Sequence, residues 1–117
     1  MDFRTPSSFY NELDKEFNFN FDPCPPNPKF DGLKIAWKSR NFINPPYGRQ
    51  IGLWIKKAYE ESLKGKLCVL LIPARTDTRW WHEYIMKSKD IRFIKGRLKF
   101  SNYNNSAPFP SCVVVFK

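Results

Sequence analysis

The segment from residue 41 to residue 72 constrains the fold of this chain more than any other. A short apolar strand over residues 41–44 is stopped by Pro45 and Pro46, and apolar side chains then recur at helical spacing from Ile51 to Ser62. The continuous apolar run over residues 67–72 is typical of a strand that is buried on both faces. Strand, helix and buried strand in this order predict a βαβ unit with two parallel strands.

The flanking segments extend the alternation of strands and helices. A capped start at residues 5–8 predicts a short helix with Phe9, Leu13 and Phe17 on one side. Residues 17–22 then alternate with period two, which predicts a strand that ends at a proline-rich turn.

The second half of the chain continues the pattern. A cap over residues 76–78 predicts a helix over residues 79–87, and strands follow over residues 90–94 and 111–116, the last entered through a long polar loop. We therefore expect an α/β fold, with a mostly parallel sheet flanked by helices, in a single domain over residues 1–117.

Composition limits the function classes. The 117 residues carry a net charge of +9, which makes nucleic acid the expected partner. The longest apolar stretch, residues 67–74, is far shorter than the roughly 20 residues that span a bilayer, and the start of the chain lacks a secretion signal. The three cysteines contain no C-x-x-C pair and predict neither a disulfide framework nor a metal site. These features predict a cytoplasmic chain that does not enter membranes.

The most specific motif is Asn44-Pro45-Pro46-Tyr47, which directly follows a predicted strand. It resembles the catalytic motif of S-adenosylmethionine-dependent methyltransferases that modify planar nitrogens, above all adenine N6 in DNA. The Asn44 side-chain oxygen and the Pro45 carbonyl can accept the two hydrogens of such an amino group and aim its lone pair at a methyl sulfonium. Pro46 fixes that carbonyl, and Tyr47 offers a face for a base rotated out of the duplex.

A wider resemblance runs along nearly the whole chain, which is similar to the phage-type DNA N-6-adenine methyltransferase family. This resemblance implies a Rossmann-like methyltransferase core, catalysis by residues 44–47 and a bacterial host-cell setting. The matching pieces, in chain order, are Arg4-Thr5-Pro6, Phe21-Asp22-Pro23-Cys24, Asp31-Gly32-Leu33, Phe42-Ile43-Asn44-Pro45-Pro46-Tyr47-Gly48, Leu71-Ile72-Pro73-Ala74-Arg75-Thr76-Asp77-Thr78, Gly96-Arg97-Leu98-Lys99-Phe100 and Ala107-Pro108-Phe109-Pro110-Ser111.

The resemblance also implies a cofactor site for S-adenosylmethionine. Its methionine end would be held by Thr5, Pro6 and the turn Phe21-Asp22-Pro23-Cys24, with Asn44 beside them. That turn lacks the Gly-x-Gly loop of most methyltransferases, and Asp22 would accept from the cofactor's ammonium. The chain between the two turns is too short for the strand that usually carries a ribose-binding acid, so Asp31 is the nearest candidate. A homodimer that completes the cofactor or DNA site, or weak cofactor affinity, would account for the gap.

Basic and aromatic residues near the expected active site are candidates for nucleic-acid binding. Arg75 and Arg79 follow a buried strand, although this segment is equally a helix cap. Trp80 and Trp81 are expected to be core and half-core residues of the helix rather than stacking platforms. Ordinary hairpin packing is the alternative for the aromatic residues of the long loop. The complete set of candidates is Arg49, Arg75, Arg79, Arg97, Lys99, Phe100 and Phe109.

The sequence thus predicts a minimal enzyme that transfers a methyl group from S-adenosylmethionine to a flipped adenine of DNA. Two alternatives stay open. The chain could methylate another planar nitrogen, such as cytosine N4, RNA adenine or a glutamine amide. It could also be a catalytically reduced relative that binds nucleic acid without turnover, because part of the cofactor pocket has no counterpart here.

Overall fold

The computed structural model describes residues 3–117 and contains one four-stranded sheet with the strand order β1-β2-β4-β3. The strands are β1 (Arg40–Ile43), β2 (Leu67–Pro73), β3 (Asp90–Phe93) and β4 (Ser111–Phe116). The helices are α1 (Ser7–Phe17), α2 (Ile51–Ser62) and α3 (Arg79–Glu83), and a 3₁₀ turn at Ile85–Lys87 follows α3.

The predicted βαβ unit is confirmed. β1 and β2 are parallel, with Ile43 opposite Leu70, and α2 connects them. The prediction of a mostly parallel sheet is wrong, because β4 pairs antiparallel with both β2 and β3. The physical reason lies in the connection after β3. The chain reverses its direction over residues 94–110, and β4 then pairs with β3. A connection of this hairpin type makes the two strands antiparallel.

The predicted strand over residues 17–22 is wrong for most of its length. Helix α1 continues to Phe17 and ends where Asn18 adopts a left-handed conformation with φ of 54°. Only Phe21 joins the sheet, through an isolated parallel bridge to Asn41. The alternation of phenylalanine and asparagine instead lets the rings of Phe17 and Phe19 stack, with centroids 5.9 Å apart, beneath the helix end.

Apolar side chains cover both faces of the sheet. On one face, Trp54 and Ile55 of α2 and Trp81 of α3 pack against alternate residues of β2 and β4. On the other face, Leu13 of α1 packs with Phe3 and with aromatic residues of the loop between β3 and β4. The expected core position of Trp81 is confirmed, since 3% of it is exposed.

The irregular segment over residues 23–39 is anchored by a buried carboxylate. Glu61 of α2 is fully buried and accepts the backbone N–H of Trp37 at 2.9 Å. The ammonium groups of Lys66 and Lys57 lie 2.9 and 3.2 Å from its carboxylate oxygens. Glu61 therefore joins this segment to α2 through charged hydrogen bonds.

Two further observations concern membranes and metals. Within residues 3–117, no helix combines the length and the apolar character that crossing a bilayer requires. The same residues bring together no group of three or more histidine, cysteine, aspartate or glutamate side chains that could hold a metal ion.

Candidate active site

A cavity of about 310 Å³ lies beyond the carboxyl end of β1. It brings together four of the residues that the sequence analysis proposed for cofactor binding and catalysis, although they are far apart along the chain. Parallel strands end at the same edge of a sheet, which is why the residues after β1 and after the Phe21 bridge meet here. The four residues are Thr5, Asp22, Cys24 and Asn44.

Asn44 follows β1 directly, and its side-chain amide has a fixed orientation. Its Nδ2 donates to the hydroxyl of Thr5 at 3.0 Å and to the carbonyl oxygen of Phe3. Its Oδ1 is buried and has no hydrogen-bond partner among residues 3–117. A buried acceptor without a partner costs about 1–3 kcal/mol, and among residues 3–117 Trp54 Nε1 and Ser111 Oγ are the other buried side-chain atoms that lack a partner. Asn44 lines the cavity, so this oxygen is the candidate acceptor for a ligand bound there.

Asp22 is the acidic group of this cavity. The backbone N–H of Cys24 donates to its Oδ1 at 2.9 Å, and the carboxylate forms no ion pair within the described part of the chain. Burial raises the pKa of the Asp22 carboxyl to about 6, although the hydrogen bond from Cys24 opposes this shift. A partly buried carboxylate that forms no ion pair is suited to binding a cationic group of a ligand.

The proline turn after Asn44 leads into an aromatic cluster formed by Phe3, Tyr47, Phe100 and Phe109. The ring of Tyr47 lies 5.4 Å from that of Phe3 and 5.2 Å from that of Phe109, measured between centroids. The Tyr47 hydroxyl donates to the carbonyl of Leu71 at 3.4 Å, and burial raises the pKa of this phenol. The cluster therefore holds Tyr47 in place, with Pro45 buried beside it.

The aromatic cluster corrects one prediction. Phe100 and Phe109 are 1% and 7% exposed, so in this structure neither side chain can contact nucleic acid directly. Both are buried because the loop between β3 and β4 folds back over the sheet and packs them against Phe3. The two side chains support Tyr47 from within the core.

The basic candidates for nucleic-acid binding differ in whether their side chains form ion pairs. Arg49, Arg75, Arg97 and Lys99 are exposed. Arg79 is exposed too, but its guanidinium is paired with the carboxylate of Glu83 one turn along the chain. This ion pair makes Arg79 the least available of the predicted phosphate contacts.

Asp31 does not reach the cavity. Its side chain is exposed, accepts the backbone N–H of Leu33 at 3.0 Å and lies 4.0 Å from the ammonium of Lys34. The proposal that Asp31 binds a ribose is therefore not supported, because the carboxylate stabilises its own turn. The ring of Phe21 likewise stacks on Phe30, with centroids 5.7 Å apart, and does not line the cavity.

The two prolines predicted at the cofactor site, Pro6 and Pro23, support the backbone beside the cavity. Pro6 precedes the first turn of α1, and Pro23 is buried with its carbonyl against Gly32. A Cβ at Gly32 would lie 2.0 Å from that carbonyl oxygen, so only glycine fits there. The two prolines thus set the course of the chain on either side of the cavity.

Sequence reasoning missed several residues that line the cavity. Tyr10 and Asn11 of α1 line the cavity, and the carbonyl of Phe3 holds the amide of Asn44. The signal for the first two was helical spacing, because Tyr10 and Asn11 follow Ser7 by three and four residues and share its face. No local signal marked the carbonyl of Phe3.

Nearly the whole chain matches one protein family. The model of the DNA N-6-adenine-methyltransferase (Dam) family matches residues 2–113, so the chain belongs to this family, as its sequence motifs indicated. Membership of the family implies a DNA methyltransferase. The chain matches no curated protein and no solved structure.

Proposed function

We propose that this protein transfers a methyl group from S-adenosylmethionine to the N6 amino group of a DNA adenine that has rotated out of the duplex. Family membership supports the class of reaction. The single observation that carries the proposal is the buried Oδ1 of Asn44, which has no partner in residues 3–117 and belongs to a residue lining the same cavity as Asp22 and Thr5.

The residues of the cavity fit the cofactor. Its volume of about 310 Å³ lies at the lower end of the range of small-molecule sites. Asp22 would bind the ammonium of the methionine part, and Thr5 and Cys24 would line the same end. When bound, S-adenosylmethionine supplies a methyl group on a positively charged sulfur.

Asn44 and Pro45 would position the amino group. The lone pair of the adenine amino nitrogen is delocalised into the ring, so this nitrogen is a poor nucleophile. Asn44 Oδ1 would accept one N–H and the Pro45 carbonyl would accept the other, which draws the nitrogen toward tetrahedral geometry. The Asn44 acceptor is fixed before substrate binds, because the Asn44 amide is already held by Thr5 and Phe3.

The sheet can be interpreted as a reduced Rossmann-like core that occupies one domain. The parallel strands β1 and β2, their connection through α2 and the location of the cavity at their carboxyl ends support this interpretation. The antiparallel strand β4 is the departure from a parallel sheet.

Mass spectrometry of nucleosides tests the proposal. The protein is incubated with S-adenosylmethionine and unmethylated DNA, and the DNA is digested to nucleosides. We expect N6-methyladenine. N4-methylcytosine would instead favour methylation of another planar nitrogen, and DNA binding without any methylated nucleoside would favour the catalytically reduced relative.

Cofactor affinity should depend on pH through Asp22. The pKa of this carboxyl is raised to about 6, so it is mostly protonated at pH 5 and mostly ionised at pH 7. Only the ionised form attracts an ammonium, and affinity should therefore increase about tenfold between pH 5 and pH 7 and then level off. Isothermal titration calorimetry across this range measures the effect.

Two variants control the pH experiment. Asp22→Asn should remove the pH dependence, whereas Asp31→Asn should retain it, because Asp31 lies outside the cavity. Asp22→Ala should weaken binding at pH 7 by about 1.5–3 kcal/mol. Equal pH profiles for the native protein and Asp22→Asn would exclude Asp22 from ammonium binding.

The Tyr47 ring, rather than its hydroxyl, should matter for turnover. Tyr47→Phe removes the hydroxyl, whose hydrogen bond to Leu71 is long, and should keep most of the activity. Tyr47→Leu keeps an apolar side chain in the cluster but removes the aromatic face. Stacking of a base contributes about 1–3 kcal/mol, so kcat should fall by about 5- to 150-fold. Single-turnover methylation assays, with melting temperatures to verify folding, compare the two. Equal losses in both variants would contradict the stacking role.

A further inference from the structure

A second cavity, of about 280 Å³, adjoins the same catalytic turn. Asn44 lines the first cavity and Tyr47 lines the second, so the turn formed by residues 44–47 contributes to the walls of both. The other side chains that define the second cavity are Ile51, Pro73, Arg75, Thr78 and Trp80.

Arg75 gives this cavity a positive charge, and no acidic side chain of residues 3–117 forms an ion pair with it. It is exposed and forms no ion pair among residues 3–117, and its guanidinium lies 6.0 Å from the ring centroid of Phe109. Its backbone is fixed, because its N–H donates to the carbonyl of Pro73 at 2.9 Å and its carbonyl accepts the Thr78 hydroxyl at 2.8 Å. The charge is thus presented from an ordered loop.

Trp80 provides an aromatic wall. Its indole is half-buried, and one edge packs close to Gly52 of α2, where a Cβ would lie 3.5 Å from its Cδ1. The expectation that Trp80 belongs to the core is thus only partly met, because the side chain also lines the cavity. A cation beside an aromatic ring is the combination that single-stranded nucleic-acid sites use for a phosphate and a base.

We propose that the second cavity binds the nucleotide next to the target adenine, with its phosphate on Arg75 and its base against Trp80. This inference rests on the proposed function, since the target base itself must reach Asn44 in the adjoining cavity. The turn over residues 44–47 would then lie between the target base at Asn44 and its neighbour in the second cavity. The net charge of +9 favours a polyanion over a neutral ligand.

Fluorescence anisotropy with a labelled single-stranded DNA of mixed sequence tests the site across a series of salt concentrations. Arg75→Ala should weaken binding and lower the slope of log affinity against log salt by about 0.7, the value for one phosphate on a single strand. Arg79→Ala is the matched control, because Arg79 follows on the same segment but is paired with Glu83. Its effects on the affinity and on the slope should both be smaller than those of Arg75→Ala.

Trp80 is tested in the same assay. Trp80→Ala should weaken binding by about tenfold without changing the salt slope, and Trp80→Phe should restore most of the loss, because stacking needs an aromatic face. Melting temperatures show whether each variant is folded. If Trp80→Ala does not fold, the comparison of Trp80→Phe with Trp80→Leu replaces it.

The outcomes separate this inference from the proposed function. One result would show that the inference is wrong although the native protein methylates DNA. In that result Arg75→Ala and Arg79→Ala have the same affinity and the same salt slope, and the Trp80 variants bind DNA as tightly as the native protein does. If the native protein neither binds nor methylates DNA, both proposals fail. A second experiment removes the base of the nucleotide next to the methylated adenine. This abasic DNA should be methylated more slowly than intact DNA by the native protein, whereas Trp80→Ala should methylate both at the same rate.

Discussion

Asn44→Ala should reduce methylation by at least about 100-fold, the usual effect of removing one preorganised polar group from a transition-state site. The variant loses the buried Oδ1 that awaits a hydrogen-bond donor. Because this contact forms fully only as the amino nitrogen changes geometry, the loss should appear in kcat rather than in the affinity for cofactor or DNA. Single-turnover kinetics with radiolabelled cofactor, together with calorimetry and anisotropy, measure the three quantities.

Thr5→Val is the control for this experiment. The Asn44 amide also tethers the chain near Phe3 and Thr5, so Asn44→Ala removes a structural contact as well as the acceptor. Thr5→Val removes one partner of Nδ2 and leaves Oδ1 in place, and we expect only a few-fold loss of activity. Losses of equal size in the two variants would mean that the tether, and not the acceptor oxygen, limits the reaction.

Glu61→Ala should destabilise the fold by about 3–5 kcal/mol, the cost of breaking a buried charged network by removing one partner. The variant leaves the N–H of Trp37 without its acceptor and leaves Lys57 and Lys66 without their counter-charge. Glu60→Ala is the matched control, because Glu60 is the adjacent residue of α2 and is exposed. It should change the free energy of unfolding by less than about 0.5 kcal/mol. Urea unfolding measures both.

The same carboxylate predicts how stability depends on pH. Burial disfavours its charged form, but hydrogen bonds from Lys66, the Trp37 N–H and Lys57 outweigh this effect and lower the pKa of Glu61 to about 2. A carboxyl whose pKa is lower in the folded state stabilises the protein above its ordinary pKa, and this stabilisation disappears as pH falls from about 4.5 toward 2. The loss is on the order of 3 kcal/mol. Urea unfolding at pH 3 and pH 7 should show a smaller difference for Glu61→Gln than for the native protein.

Local patterns in the sequence were sufficient for the βαβ unit and for the proline turn after Asn44. The spacing of apolar residues in α2 and β2 can be read from neighbouring residues alone. The two prolines after Asn44 end β1 independently of the rest of the chain. The cap at Thr78 was equally local, since its hydroxyl accepts the N–H of Trp81 three residues further along.

Predictions that depended on distant partners were less successful. The apolar sequence of β4 suits a strand of either direction, and only its position between β2 and β3 makes the sheet largely antiparallel. The alternation after Phe17 suited a strand, but the chain there meets β1 only at Phe21. Phe100 and Phe109 lie in a polar loop in the sequence, yet packing against Phe3 buries them.

The sequence by itself determined that this chain forms a strand, a proline turn and a helix that present Asn44, because those choices are made by residues that adjoin one another. It also determined the family, since the motifs follow the order of the family along the chain. Only the tertiary structure decided which polar atoms share a cavity. The free oxygen of Asn44 exists because its amide nitrogen is occupied by residues about 40 positions away, and the raised pKa of Asp22 exists because packing removes its carboxylate from water.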